Sequence, residues 1–413
     1  MSAITNNLEF VDWLTMECLR LLKNKLFILG GFNTSFAGNY TREFAVGEEV
    51  RVPIPWRPIG GEGMDYDPEP IDRIHKTITV NRTPHVHFEV GSVEEALKYT
   101  RGRDKIRDEI LEPAANTMRQ KWETLAATHA FRHTNLVVGA LGTDPTAFST
   151  VGKIRQKMVE QAGWEGKKLL AISPSTNTSM VNAYLGNFNP GDEVSRLFKE
   201  GYMGRFAGFD WQESMSLVRH TAGTWDGAVT LSSAVSSGAT TLALTCTTGD
   251  TFNAGDKIGI NTYYPTNPAT RAQSSTDTFT VSVLETVTGA GSAATITINR
   301  PIYGPESAYQ NITALPASGT ALTLWPGTSS PNGKAGAVSL AINKDAFAFC
   351  DVKLANPTAV EIASQARDPE TGLTVAFVKA FDPIARKMVH RFDSLGGFGD
   401  FYNGECAVAL PGS

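Results

Sequence analysis

Between Ile106 and Ala130 an apolar or small residue recurs every fourth position: Ile106, Ile110, Ala114, Met118, Trp122, Ala126 and Ala130. A step of four stays near one face of a helix while winding slowly around it. Leu111 and Leu125 widen the stripe. Arg103, Asp104, Lys105, Arg107, Asp108, Glu109, Arg119, Lys121 and Glu123 lie between and are expected on a solvated or salt-bridged face. The pattern predicts a long helix within Ser92–His133, with Glu94 and Glu95 in its first turn. Arg101-Gly102-Arg103 separates a short leading helix, and Pro113, which lacks a backbone donor, predicts a bend or local break. From Arg103 onward such a rod spans roughly 45 Å at about 1.5 Å per residue. It carries no metal-ligand spacing and no nucleophile–base pair, so its expected role is mechanical.

A second amphipathic helix is expected over Leu8–Leu29, with Phe10, Trp13, Leu14, Cys18, Leu21, Leu22 and Lys25 near one side. It packs either on another subunit or back on its own chain. Residues 36–90 change to a period of two and carry Pro53, Pro55, Pro58, Pro68, Pro70 and Pro84. Strands are expected at Glu49–Ile54 and Lys76–Val80, joined through Gly60-Gly61-Glu62-Gly63 and Asp65-Tyr66-Asp67-Pro68. A lone two-stranded arm is marginal in water, so it needs a neighbour, most simply another copy of the chain.

After a loop, a mixed block follows: a helix over Val151–Ala162, a buried strand Lys168–Ser173, and a helix Ser175–Tyr184 capped by Ser175 or Thr176. From Thr224 to Gly333 helix formers nearly vanish. Short alternating strands at Thr241–Thr245, Lys257–Asn261, Phe279–Leu284, Thr295–Asn299 and Ala321–Leu324 predict a small all-β barrel or sandwich. The mixed style returns at Ala335, with strands at Leu373–Phe381, Lys387–Phe392 and Glu405–Leu410. An α/β domain is therefore split by an all-β insertion.

At 413 residues, two or three domains are expected. A net charge of −5, without a basic run, excludes an obvious nucleic-acid binder. Cys18, Cys246, Cys350 and Cys406 form no CxxC pair and are expected to be buried, reduced thiols of a cytosolic product. Neither an export leader nor a membrane span is expected: the apolar run Leu19–Gly31 is broken by Lys23, Asn24 and Lys25.

Candidate chemistry is sparse. His85-Val86-His87, with His75, offers imidazoles on one strand face, but no Cys or Asp stands at ligand spacing. Gly60–Gly63 lacks the Lys-Ser/Thr of a phosphate loop. Ser173-Pro174-Ser175 is not a Gly-x-Ser-x-Gly elbow. The acid pairs Asp65/Asp67 and Asp368/Glu370 read as solvated turn residues. No catalytic, cofactor-binding or metal residue is assigned, and the chain is not expected to be an enzyme.

Three stretches carry a resemblance: Glu112-Pro113-Ala114-Ala115-Asn116 through Ala126-Ala127; Arg205-Phe206-Ala207-Gly208-Phe209-Asp210; and Ala254-Gly255-Asp256-Lys257-Ile258 with Phe279-Thr280-Val281 and Thr295-Ile296-Thr297-Ile298. In this order the chain resembles the major capsid proteins of tailed bacteriophages, the Hong Kong 97 type fold. The subtype it resembles is the coat protein of short-tailed Salmonella phages, with its inserted β-barrel. The resemblance implies an α+β fold: an N-terminal arm (1–39), an extension β-arm (40–90), and a peripheral domain with the spine helix (91–134, completed by 366–413). An axial domain (135–222, completed by 337–365) and an inserted barrel (223–336) follow. It further implies a structural protein of the virion, assembled in the host bacterial cytoplasm as hexamers and pentamers of an icosahedral procapsid. Implied partners are a scaffolding protein, a portal protein, a decoration protein, and packaged DNA through non-specific inner-surface contact, with no membrane. No cofactor is implied. Two other classes stay open: a hydrolase with an accessory β-module, and a non-shell virion component such as a tail or surface-binding protein.

Overall fold

A computed structural model describes residues 5–23, 26–34, 49–53, 75–91, 107–161, 166–184, 205–225, 229–267, 270–325, 332–354, 362–368, 373–382, 387–401 and 405–412. The expected leading helix from Ser92, the Gly60–Gly63 tip with Asp65/Asp67, and Glu370 lie outside these residues.

Helix α1 (Thr5–Lys23) precedes a 3₁₀ turn at Leu29–Gly31, then come β1 (Glu49–Pro53), β2 (His75–Thr79) and β3 (His85–Gly91). A π-helical turn at Arg107–Leu111 opens α2 (Glu112–His133). The local break expected from Pro113 is this change of winding. Pro113, which has no N–H to give to the turn before it, falls where the π-helical turn passes into the α-helix. The α-helical rod is accordingly shorter than expected, 22 residues. Next come β4 (Leu136–Val137), α3 (Phe148–Glu160), β5 (Lys168–Ile172), α4 (Pro174–Tyr184), β6 (Arg205–Phe206), β7 (Phe209–Glu213) and β8 (Arg219–Thr221). Eight short strands follow: β9 (Thr230–Leu231), β10 (Ala239–Thr245), β11 (Thr251–Phe252), β12 (Lys257–Ile260), β13 (Phe279–Ser282), β14 (Val287–Thr288), β15 (Ala293–Ile302) and β16 (Leu322–Trp325). The chain closes with β17 (Ala335–Asn343), β18 (Phe347–Val352), β19 (Ile362–Arg367), β20 (Thr374–Asp382), β21 (Lys387–Asp393), β22 (Leu395–Asp400) and β23 (Ala407–Pro411).

These elements form two compact units. The first comprises Met1–Val52, His75–Ala126 and Ala348–Gly399. Its frame is the antiparallel sheet β19-β20-β21-β3, and α1 packs on β19 and β20. Leu14, Cys18 and Leu22 are buried there, and Ser364 Oγ donates to Asp12 Oδ1 at 2.7 Å. Of the two placements open for the N-terminal helix, the structure takes the intramolecular one. The paired strands β1 and β2 also rest on their own chain at this end: Val50, Val52 and Ile78 are buried. A Cβ on Gly397 would stand 2.4 Å from the Thr79 carbonyl oxygen, so β22 approaches β2 backbone to backbone. Under this sheet edge Trp122, fully buried, meets Phe349 and Phe398 edge-on at centroid separations of 5.1 and 5.8 Å, and Phe32 closes the cluster against Phe398. Such T-shaped pairs add to area burial. The α2 stripe is thereby confirmed as a core face: Ala114, Met118, Trp122, Ala126 and Ala130 are all buried.

The second unit is formed chiefly by Ala127–Phe347 and Asp400–Ser413. Its sheet runs β4-β23-β17-β5-β7-β6, with β8 also on β17. All five residues of β5 are buried, as an apolar strand covered on both faces requires. α3 and α4 supply Val151, Ile154, Met158 and Met180 to a core shared with Leu170, Ile172, Phe209 and Trp211. The cap of α4 is Ser173, whose hydroxyl accepts the Thr176 N–H at 3.3 Å. Ser175 and Thr176, the expected caps, stand inside the helix because Pro174 takes its first position. β6 and β7 join through Ala207 and Gly208 at φ 51° and 88°, a two-residue turn with both centres left-handed.

Two segment assignments change. β23 was expected with the peripheral domain, yet it pairs with β17 and with β4 in the second unit. Ala348–Gly399 belongs to the first unit, although residues up to 365 were expected with the axial domain. Both reflect pairings between strands far apart in sequence, which local pattern does not carry.

Strands β8 and β17 frame the long segment between them. The chain leaves the sheet at Thr221 and re-enters at Ala335, and these two residues are partners in the β8–β17 register. Between them six strands close a hydrogen-bonded ring. β12 pairs with β13, β15 with β10, β10 with β9, and β16 with β12. The bridges Val283↔Ile298 and Thr230↔Ala321 join the remaining neighbours. Ile258, Ile260, Phe279, Val281, Ile296, Ile298, Leu242 and Leu244 fill one alternate face. Closure leaves these short strands without open edges.

Candidate functional site

An α-helix leaves its last four carbonyls without intrahelical donors. In α2 these are Ala130, Phe131, Arg132 and His133, and each receives a side-chain donor. Thr134 Oγ1 donates to Ala130 at 2.6 Å, Lys257 Nζ to Phe131 at 2.6 Å, Ser282 Oγ to Arg132 at 2.6 Å, and Asn299 Nδ2 to His133 at 2.7 Å. Three of the four come from the outward residues of the ring strands β12, β13 and β15. This explains why β12 and β13 are buried on both faces: their apolar residues line the ring and their polar ones hold the helix end. Asn135 extends the contact, its carbonyl accepting Thr280 Oγ1 at 2.8 Å and its side chain accepting the Ser282 N–H at 3.1 Å.

The approach depends on two residues beside Lys257. Gly255, at φ +102°, lies against the Phe131 ring, where an added Cβ would stand 2.4 Å from a ring carbon. Asp256 accepts the N–H groups of Asn253 at 2.8 Å and Gly223 at 3.0 Å, and His220 Nε2 at 2.8 Å, tying the turn to the stem strand β8. Lys257 is fully enclosed, and burial holds its amine well below the usual lysine range, with Asp256 opposing. Its nitrogen also sits 4.5 Å from the Phe131 ring centroid. Nearby, Arg300 lies over the Phe279 ring and donates to the Thr280 carbonyl; burial lowers it to about 10 against the opposing charge of Glu405.

The first unit contains a second non-local clamp. Glu123, expected on the solvated face, is buried, and its carboxylate accepts the N–H groups of Phe27, Ile28 and Leu29 at 2.8, 2.9 and 3.4 Å. It satisfies the open donors of the 3₁₀ turn after α1. Burial raises its carboxyl above the usual range, and those hydrogen bonds oppose the rise. Nothing local in the sequence distinguishes Glu123 from the solvated acids around it.

His85 and His87 stack on β3 with centroids 5.8 Å apart, and their register partners on β21 are Asp393 and Arg391. Among the described residues no three His, Cys, Asp or Glu side chains are placed to hold a metal ion. Ser173 Oγ donates to Thr176 Oγ1 and Ser175 Oγ to Asp144 Oδ2, as helix-start contacts. Asp368 is buried, although a solvated turn residue was expected. The four cysteines are free and buried, and burial pushes the Cys18 and Cys350 thiols up to about 12. No described helix is long and apolar enough to cross a membrane.

No family model and no curated protein matches the chain. Among solved structures, a chain of Mycobacterium phage Che8 aligns at TM-score 0.44 and 8% identity, covering 94% of this chain and 93% of that one. The capsid of Ralstonia phage GP4 aligns at 0.43 and 8%, covering 89% and 81%. The capsid of the cyanophage P-SCSP1u aligns at 0.39 and 12%, covering 90% and 85%.

Proposed function

We propose that this chain is a major capsid protein of a tailed bacteriophage, which assembles in many copies into an icosahedral head around double-stranded DNA. The observation that carries the reading is the order of elements. An N-terminal helix, a β-arm base, a long helix, a mixed sheet, a β-ring inserted between two paired strands, and closing strands follow in the order that the sequence resemblance implies. The finer assignments rest on the same support. The closed ring of residues 230–325 fits the inserted barrel of the short-tailed Salmonella phage subtype, and α2 the spine helix. The sheet β19-β20-β21-β3 fits a peripheral domain and the sheet around β17 an axial one, now including β23. Of the extension arm expected over residues 40–90, β1 and β2 fit its base, while β3 goes with the peripheral sheet through its pairing with β21. Scaffolding and portal proteins are the expected assembly partners, a decoration protein a further one, and the head of the virion the expected location. In this reading no residue is catalytic. The helix-end socket and the Glu123 clamp are structural: each fixes a segment that assembly forces would otherwise pull free.

The test is electron microscopy of the purified chain, alone and with its scaffolding partner. Closed shells of uniform size support the reading. A soluble monomer under every condition, or hydrolytic activity of that monomer, contradicts it.

A further inference from the structure

Helix α2 ends with two histidines one turn apart, His129 and His133, whose rings stack with centroids 4.2 Å apart and planes inclined by 26°. Phe347 and His129 form a T-shaped pair with centroids 5.8 Å apart. Nδ1 of His133 lies 2.7 Å from Asn299 Oδ1 and 3.9 Å from Asp400 Oδ1. The amide oxygen only accepts, so Nδ1 carries hydrogen and further proton uptake falls on Nε2. Asp400 is the charged group placed against His133 Nδ1; on the same helix end Lys257 donates to the Phe131 carbonyl, His220 of the Asp256–His220 pair lies against the Phe131 ring, and Arg132 is exposed.

The negative end of the helix dipole and Asp400 favour one imidazolium, placed on His133. A second, on the stacked ring, meets a like charge at van der Waals distance in a half-buried site, so the two protons bind in separate steps. Asn299 is the link to structure, since the same amide accepts from the His133 ring and donates to the His133 carbonyl. We propose that the His129–His133 stack is a proton-sensitive joint: it holds with one proton, opens with two, and on opening frees the last turn of α2 from β15. The inference is independent of the capsid reading.

Hydrogen exchange at the imidazole C2 position, followed by mass spectrometry on the full chain from about pH 4.5 to 8, reads each histidine separately. The two rings are expected to take up their protons in two separate steps, His133 first. Amide exchange in peptides covering 130–135 and 296–302, corrected for intrinsic rate, is expected to quicken at least about tenfold as the second proton binds. Coincident titrations, or no quickening, overturn the proposal. His129→Gln keeps one titratable ring, so the acid quickening is expected to disappear, and its persistence also overturns it. Where that variant does not fold, the two wild-type titrations decide.

Discussion

Lys257 and Phe131 meet across 126 positions of sequence, the lysine nitrogen donating to the helix-end carbonyl at 2.6 Å while resting on the phenyl ring. One side chain thus caps α2 and fastens the inserted ring to it. Lys257→Met keeps most of the stem volume but leaves the Phe131 carbonyl and the Ser282 hydroxyl without this donor. A loss of about 1–3 kcal/mol is expected in urea unfolding of the monomer. Burial depresses the lysine, so the native state holds fewer protons than the unfolded one between its lowered value and the ordinary lysine range. Wild-type stability from this group therefore rises with pH across that window. The cost of Lys257→Met is expected to be larger at alkaline than at neutral pH, and a cost independent of pH contradicts this.

Gly255 and Phe131 test the same contact sterically. Gly255→Ala forces a methyl group into the ring and a left-handed backbone on alanine, for about 2–4 kcal/mol. In a Phe131→Ala background the steric part disappears, so the double-mutant cycle is expected to give a coupling above about 1 kcal/mol. Simple additivity would show that the two residues do not press on each other.

Two buried acids in the first unit set its response to pH. Burial raises both Glu123 and Asp351, with backbone and side-chain hydrogen bonds opposing. Asp351 Oδ2 accepts the Thr374 N–H at 2.7 Å, while its buried Oδ1 has no hydrogen-bond partner. From the ordinary carboxylate range up to the raised values, the native chain binds more protons than the unfolded chain. Stability from these groups is thus fully present at acid pH and is lost as pH rises. Asp351→Asn keeps an acceptor for Thr374 and removes the charge. It is expected to match or exceed wild type at neutral pH and to flatten the slope, whereas a clear loss at neutral pH would sink this account.

Trp122→Ala opens a cavity beneath Phe349, Phe398 and Gly396, where the Trp122 ring stands 2.9 Å from the position of a Cβ on Gly396. About 3–5 kcal/mol is expected, with loss of the near-ultraviolet signal of the aromatic cluster. A loss below about 1 kcal/mol would place that cluster outside the core of the unit.

Local periodicity made much of the fold legible. The Ala114–Ala130 stripe, the alternation of Thr295–Asn299 and the compositional break at Gly223 each record the surroundings of one element. The stem strands β8 and β17, ending at Thr221 and starting at Ala335, pair with each other. Illegible were the relations between distant segments. β23 reads as one more closing strand, and only its register with β17 and β4 reveals its sheet. The N-terminal helix shows an apolar face but not that β19 and β20 cover it. Glu123, Ser282 and Asn299 are ordinary polar residues until the fold brings a row of open backbone groups to each.

Cryo-electron microscopy of the chain, expressed alone and with the scaffolding partner proposed for it, decides whether it builds a shell. Closed icosahedral shells are expected, in which each subunit carries the six-stranded ring docked on the end of α2. Unassembled chains alone, or shells whose subunit density lacks that docked ring, would contradict the capsid reading.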